Sequence, residues 1–182
     1  MGKRKRSQKV SNTSIAKSAP QKLSAGGCYE GEKLSGLLEK LGKEIELANL
    51  SKGNMLPDKI WFKQQFSIGV NDVTRVLERM PSREAEQGAD EPPSVHAGPK
   101  LPLVKLQAVL LASDCNPKWL TKHIPGLASS KGVPVISVRD NKGGSLRLGE
   151  LVKLKTALAI GVKARGSEIN RTLDQILHCR ET

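Results

Sequence analysis

An amide, a carboxylate and a guanidinium follow a glycine in the stretch SIGVNDVTRVLERM, which covers residues 67–80. Apolar residues recur behind them at helical spacing, so the polar groups are predicted to stand at the start of a helix. Unpaired N–H groups at a helix start suit a phosphate or another anionic oxygen. Asp72 can accept from the N1–H and amino group of a guanine, and Asn71 can reach O6 or N7 of the base. Arg75, one turn later, can donate to a phosphate or a base. The stretch therefore suits recognition of a guanine in distorted RNA.

A helix cap is the alternative interpretation of the same residues. Asn71 would then be the N-cap, Asp72 would stabilise the helix dipole, and Arg75 would only be solvated. Because polar residues are common at helix starts, local chemistry alone favours this cap.

Other chemical groups in the sequence predict no catalytic or metal site. The histidines, His96, His123 and His178, have no carboxylate or cysteine at ligand spacing. No arrangement typical of a nucleophilic enzyme is present, and no cofactor is implied. Trp119 is predicted to pack in the fold rather than to stack on a ligand, and Asp114 is predicted to cap or anchor a turn.

The composition predicts a negatively charged partner. The 182 residues include 30 Lys and Arg against 18 Asp and Glu, a net charge of +12 with a pI near 9.8. This suits nucleic acid, a ribosome or an acidic membrane surface without choosing among them. Aromatic residues make up only 3%, so an extensive base-stacking surface is not expected. No signal peptide or membrane-length apolar run is visible and the cysteines lie far apart, so a soluble intracellular protein with reduced thiols is expected.

The chain is predicted to consist of an arm, a domain and an insertion. Residues 1–22 contain seven Lys or Arg and no acid, so residues 1–31 are predicted to be a disordered basic arm. Its KRKR run, residues 3–6, suits a nuclear-import signal or a phosphate contact, with a plain solvated tail as the alternative. Residues 32–182 are predicted to form one domain. Within it residues 81–103, rich in Pro, Gly and charge, are predicted to be a disordered insertion.

Two helices are predicted before the insertion. The first begins near Glu32 and is closed by Gly53 and Pro57. Its apolar face is formed by Leu34, Leu37, Leu38, Leu41 and Ile45. The second follows Gly69, and its apolar face is formed by Val73, Val76, Leu77 and Met80. Residues 60–66 predict either a helical turn or the start of a short strand that ends at Gly69.

Strands alternate with helices after the insertion. Apolar runs predict strands at residues 105–112, 133–138 and 157–162. Asn116 is predicted to cap a helix starting at Pro117, and Pro125 to break it or to start another turn. Further helices are predicted over residues 146–154 and after the cap Ser167, the last one with an inward face of Ile169, Leu173, Ile176 and Leu177. The alternation predicts an α/β fold: a three-layer α/β/α sandwich with a mixed sheet of about four strands.

The start of the second helix resembles the signature of a known family. The pattern Gly-x-Asn-[Asp/Glu]-x-Thr-[Lys/Arg] of the kink-turn RNA-binding superfamily, the L7Ae type of ribosomal protein, is matched by Gly69, Asn71, Asp72, Thr74 and Arg75. Residues 110–138 resemble its strand, Asp-x-x-Pro helix start and Gly-Val-Pro strand. Residues 148–162 resemble its Leu-Gly helix and closing strand. The resemblance spans residues 34–177, apart from the insertion.

Within the superfamily, this stretch is most similar to the thirty-eight-kilodalton protein subunit of ribonuclease P and MRP. Those members have an apolar residue, here Ile68, where ribosomal and small nucleolar members usually carry lysine. The resemblance implies a noncatalytic subunit of the nucleus and nucleolus that binds a kink-turn-like RNA element beside other protein subunits and supports processing of tRNA and rRNA precursors. It implies neither a membrane nor a small-molecule substrate. Alternatives are a ribosomal or small nucleolar component, or a protein-interaction module that has lost RNA binding.

The resemblance also implies which residues contact RNA. Those implied to read sheared G·A pairs and the adjoining backbone are Gly69, Val70, Asn71, Asp72, Thr74 and Arg75. Arg139 is implied at a second edge of the site. Leu154 is implied to pack against a flipped nucleotide.

Overall fold

The computed structural model describes residues 26–53, 56–82 and 103–178. Within these ranges the helices are α1 Gly31–Ser51, α2 Asp58–Gln65, α3 Val70–Arg79, α4 His123–Ser130, α5 Gly144–Leu151 and α6 Glu168–His178. The strands are β1 Cys28–Tyr29, β2 Phe66–Ile68, β3 Leu106–Ala112, β4 Val135–Val138 and β5 Ala159–Lys163. A 3-10 turn, Lys118–Leu120, precedes α4. None of the helices in these ranges combines the length and apolarity needed to cross a membrane.

The strands form one mixed sheet in the order β1-β4-β3-β5-β2. β4 is parallel to β1 and β3, whereas β5 is antiparallel to β3 and β2. The carboxyl ends of β1 to β4 therefore meet the amino end of β5 along one edge. The pairs that define this edge are Tyr29 with Val138, Ala112 with Val138, Leu111 with Ala159, and Ile68 with Ile160. This edge, with the segments that enter and leave the strands there, is the loop edge.

Apolar side chains fill both faces of the sheet. The first core lies under α1, α2, α5 and α6 and includes Leu110 and Ile160. The second core lies under α3 and α4 and includes Leu111 and Val135. Leu110 and Leu111 face different cores because successive side chains of a strand point to opposite faces. The predicted three-layer α/β/α sandwich is confirmed.

The helices predicted before the insertion are confirmed. The buried residues of α1 are Leu34, Leu37, Leu38, Leu41 and Ile45, the predicted apolar face. In α3, Val73 and Leu77 are buried, and Met80 is buried just beyond its end. The ambiguous residues 60–66 belong to both proposed structures, since α2 ends at Gln65 and β2 begins at Phe66.

Within the part of the chain that the structure describes, the sheet has five strands rather than about four. The additional strand, β1, has only two residues and pairs in parallel with β4. Two residues are too few to show a period-two pattern, so sequence periodicity gave no sign of it. β1 lies within the last residues of the predicted arm. Residues 1–25 of that arm and residues 83–102 of the predicted insertion lie outside the described residues.

The prediction that a helix starts at Pro117 is wrong. Pro117 is extended, with φ −80° and ψ 141°, and only a 3-10 turn follows it. The helix proper, α4, starts at His123 and accommodates Pro125 in its first turn. A proline is tolerated there because the first N–H groups of a helix have no intrahelical acceptor.

Candidate nucleic-acid interface

α3 begins directly at the loop edge. Its N-cap residue is Gly69, with φ 99° and ψ 157°, a conformation essentially restricted to glycine. The Gly69 N–H donates to the Ala159 carbonyl at 2.8 Å, and its carbonyl accepts from the Val73 N–H at 3.1 Å. A Cβ added to Gly69 would meet no atom within 4 Å. Glycine is therefore required here by the backbone angle and not by lack of space.

Three polar side chains predicted to read RNA project from the first turns of α3. Asn71 is exposed, and the side chains of Asp72 and Arg75 are 58% and 62% exposed. A distance of 3.8 Å separates the Asp72 carboxylate from the Arg75 guanidinium, and such an exposed pair contributes little to stability. The N-cap of α3 is Gly69 and Asn71 lies inside the helix, so the alternative in which Asn71 is the N-cap is wrong. The three polar groups face solvent, where a ligand can reach them.

The charge of Asp72 also acts on a lysine of β5. Burial lowers the pKa of Lys163, the neighbouring Arg165 lowers it further, and the charge of Asp72 raises it. The Lys163 ammonium donates to the Lys63 carbonyl. The charge of Asp72 thus partly offsets the effects of burial and of Arg165 on the pKa of Lys163.

Val70 and Thr74, the other predicted contacts on α3, are engaged with the protein. Val70 is half-buried and packs against the second core. The Thr74 hydroxyl lies 2.8 Å from Nε2 of His123, which is the first residue of α4. This hydrogen bond holds the start of α4 beside the first turns of α3.

Arg139 follows β4 at the same edge. Its N–H donates to the Tyr29 carbonyl at 3.1 Å. Its guanidinium donates to the Glu30 carboxylate at 3.2 Å, and both side chains are more than half exposed. Any anion that binds Arg139 has to compete with Glu30.

Asp114 fixes the loop between β4 and α5. Its Oδ2 accepts from the N–H of Asp140 at 2.9 Å and from the N–H of Gly144 at 3.0 Å. These bonds join the segment after β3 to the start of α5, which confirms the predicted anchoring role of Asp114. The loop that begins at Arg139 is thereby held at the loop edge.

Leu154 lies in the connection from α5 to β5 and is 48% exposed. Lys153 has a positive φ of 54°. The Lys153 N–H donates to the Glu150 carbonyl at 3.2 Å, and the Leu154 N–H donates to the Gly149 carbonyl at 2.9 Å. These are the two hydrogen bonds of a Schellman motif. A Cβ on Gly149 would lie 2.6 Å from the Leu154 carbonyl oxygen and 2.8 Å from Thr156 Cα. Gly149 is therefore needed for the chain beside Leu154 to pack on α5.

Trp119 is the residue at this edge that sequence reasoning misjudged. The prediction that it packs in the fold is wrong, since it is 70% exposed on the 3-10 turn that follows β3. The sequence contained a signal for this surface, since residues 115–139 include four Lys or Arg and no acid. That run places a basic segment between the strands β3 and β4, both of which end at the loop edge.

Comparison with known protein families gives a match over part of the chain. Residues 100–170 match the model of the ribosomal protein L7Ae/L30e/S12e/Gadd45 family. The matched region runs from before β3 into α6 and contains Trp119, Arg139 and Leu154, whereas residues 69–75 precede it. No curated protein matches the chain significantly.

A solved structure shares the fold. A 15.5kD RNA binding protein from Giardia lamblia superposes with a TM-score of 0.51 and 16% identity, over 83% of this chain and 90% of that chain. A protein of unknown function from Bacillus halodurans C gives a TM-score of 0.43 and 18% identity, over 78% of this chain and 96% of that chain. The family match over residues 100–170 agrees with the superfamily that residues 69–75 resemble. The chain shares the α/β fold of the Giardia lamblia protein.

Proposed function

We propose that this chain is a noncatalytic RNA-binding subunit of a ribonucleoprotein and that its loop edge binds a kink-turn-like element of structural RNA. The observation that carries the proposal is at the start of α3. The side chains of Asn71, Asp72 and Arg75, in the first turns after the N-cap Gly69, are all exposed. The net charge of +12 supports a polyanionic ligand.

Backbone and side chains have different tasks in this binding mode. The amino end of α3 offers N–H groups and a partial positive charge to a phosphate. Asp72 accepts from the N1–H and amino group of a mispaired guanine, and Asn71 binds the O6 or N7 side of a base. Arg75 donates to the adjoining backbone. The protein captures the kinked population of the RNA, because only that form presents these groups together.

Binding to paired RNA substrates tests the proposal. A labelled kink-turn RNA should shift at submicromolar protein concentration in a gel. An RNA of equal length whose G·A pairs are replaced by Watson–Crick pairs should bind much less well. Equal affinity for the two RNAs would contradict recognition by α3 and leave only nonspecific attraction to basic groups.

A pair of variants on α3 separates recognition from charge. Asp72→Ala and Glu78→Ala each remove one exposed carboxylate from the same helix. Loss of a negative charge should strengthen nonspecific RNA binding slightly. Asp72→Ala is nevertheless expected to weaken kink-turn binding about tenfold or more, since a bidentate base contact is worth about 1 to 3 kcal/mol. Glu78→Ala should not weaken it, and equal behaviour of the two variants would contradict the assigned role of Asp72.

The particle proposed to contain the subunit is ribonuclease P or MRP. Ile68, which precedes the glycine, supports this branch, because an isoleucine offers no ammonium to a phosphate. Its side chain is half-buried on β2 and packs against the first core instead. The protein would be located in the nucleus and nucleolus, with residues 3–6 as an import signal. Sequencing of the RNA that co-purifies with the tagged protein tests this. Recovery of ribosomal or small nucleolar RNA instead would favour the alternative members of the superfamily.

A further inference from the structure

We propose that Trp119 is a stacking platform for an unpaired base of the bound RNA, separate from the guanine contact of α3 and from Leu154. This inference rests on the proposed function, because it adds a second kind of base contact to the same ligand. It assigns a role to the loop between β3 and α4, which carries none of the eight residues implied to contact RNA.

The indole of Trp119 is unusually accessible. Trp119 is 70% exposed, whereas Trp61, the other tryptophan, is 5% exposed in the first core. A tryptophan has a large apolar surface that folding normally removes from water. An indole left in solvent offers a flat aromatic face to a ligand, and stacking on such a face accepts any base.

The backbone that carries Trp119 is fixed. Thr121 and Cys115, on either side of it, are 6% and 8% exposed, and their side chains lie 3.4 Å apart. The Leu120 N–H donates to the Pro117 carbonyl at 3.3 Å, and the Ile124 N–H donates to the Thr121 carbonyl at 3.1 Å. The turn is thus held to the fold while its aromatic side chain projects outward. Such preorganisation lowers the entropy lost when a ligand binds.

The charge around Trp119 favours a nucleic acid. The exposed Lys118 and Lys122 flank it, in the segment from residue 115 to 139 that contains no acid. The hydrogen bond between His123 and Thr74 fixes the end of this loop beside the start of α3. A ligand that meets both the α3 groups and Trp119 has to combine anionic groups with aromatic faces, which describes RNA.

Binding measurements on full-length variants test the inference. With a kink-turn RNA that has an unpaired bulge, Trp119→Ala is expected to raise Kd about 5- to 100-fold, and Trp119→Phe to keep most of the affinity. Leu50→Ala removes a similarly exposed apolar side chain, 76% exposed on α1, and should leave Kd unchanged. Unfolding midpoints of all variants should match the wild type, because both sites are on the surface.

A second readout identifies the base. Replacing each bulge nucleotide in turn by an abasic one should weaken wild-type binding at one position and have no further effect on Trp119→Ala at that position. RNA should also quench tryptophan emission in the wild type but not in Trp119→Phe, whose remaining Trp61 is buried. An affinity of Trp119→Ala equal to that of the wild type would overturn the inference and leave the indole to a protein neighbour.

The two proposals fail in different ways. If the wild type selects the kink-turn and Asp72→Ala weakens it while Trp119→Ala does not, the stacking role is wrong and the proposed function stands. If the wild type does not distinguish the kink-turn from its paired control, the proposed function is wrong and the stacking role is overturned with it.

Discussion

Acidic and basic side chains lie side by side along the loop edge. Two of the acidic residues, Asp72 and Glu30, are expected to have opposite effects on RNA binding. In the proposed binding mode Asp72 presents a carboxylate to base donors, so removing it should weaken binding. Glu30 lies 3.2 Å from the guanidinium of Arg139 and occupies a group that a phosphate would otherwise bind. Because both side chains of this pair are exposed, the pair contributes little to stability. Its main expected effect is on the affinity for RNA.

Glu30→Gln is therefore expected to tighten RNA binding. The substitution removes a negative charge from the interface and releases Arg139, so Kd should fall about twofold to fivefold at low salt and less at high salt, where screening is stronger. Fluorescence anisotropy with labelled RNA measures the change. Glu32→Gln makes the same charge change two residues away and should have a smaller effect. In an Arg139→Ala background the benefit of Glu30→Gln should shrink to that of the control, and an undiminished benefit would contradict the mechanism.

Residues whose chemistry is local were predictable, and residues whose partners are distant were not. Asn71, Asp72 and Arg75 lie within two turns of one helix, so spacing alone placed them together. Arg139 and Glu30 are 109 residues apart in sequence and meet only because β1 pairs with β4. The exposure of Trp119 depended on a further fact, that a 3-10 turn and not a helix follows Pro117.

The connection from α5 to β5 depends on one helical glycine. The Gly149 carbonyl accepts a hydrogen bond from the Leu154 N–H at 2.9 Å. Backbone atoms of Leu154 and Thr156 occupy the space that a side chain at position 149 would need. The connection leads into β5, whose first residue binds Gly69 of the α3 turn. Gly149 thus helps to position two of the implied RNA contacts, Leu154 and, through β5, Gly69.

Two glycine-to-alanine changes in helices should have opposite effects. In Gly149→Ala the new Cβ would lie 2.6 Å from a backbone oxygen, which cannot rotate away. The free energy of unfolding should fall by about 1 to 3 kcal/mol. Gly36→Ala places a Cβ on the exposed side of α1 with no atom within 4 Å, and it should raise the free energy of unfolding by about 0.5 to 1 kcal/mol. Urea titrations measure both, and a Gly149→Ala protein as stable as the wild type would contradict the packing argument.

Long helices and strands could be predicted from the sequence, whereas the shortest strand could not. α1, with 21 residues, repeats its apolar spacing over several turns, and the seven residues of β3 form a long apolar run. β1 has two residues and is stabilised by pairing with β4, which is a tertiary contact. The segment after Asn116 has a proline pattern typical of a helix start, but the helix begins later, at His123.

The positive charge is unevenly distributed over the whole molecule. Seven Lys or Arg and no acid lie in residues 1–22, so these residues carry more than half of the net charge of +12. Charge of this kind attracts any phosphate backbone and carries no sequence information. Specific recognition is assigned to the loop edge, where Asp72 and Asn71 supply directional hydrogen bonds. Affinity and selectivity should therefore be separable by changes in different parts of the chain.

Replacing the seven Lys and Arg of residues 1–22 by Gln should lower affinity without lowering selectivity. Each cation that no longer binds a phosphate should reduce the slope of log K against log salt by about 0.7 to 0.9. The variant should weaken binding to the kink-turn RNA and to its paired control by similar factors, so their ratio stays constant while the slope falls. Asp72→Ala should do the reverse and reduce the ratio with little change in slope. Salt titrations with both RNAs measure these quantities. Loss of discrimination in the arm variant would locate specificity in the arm and contradict the role assigned to α3.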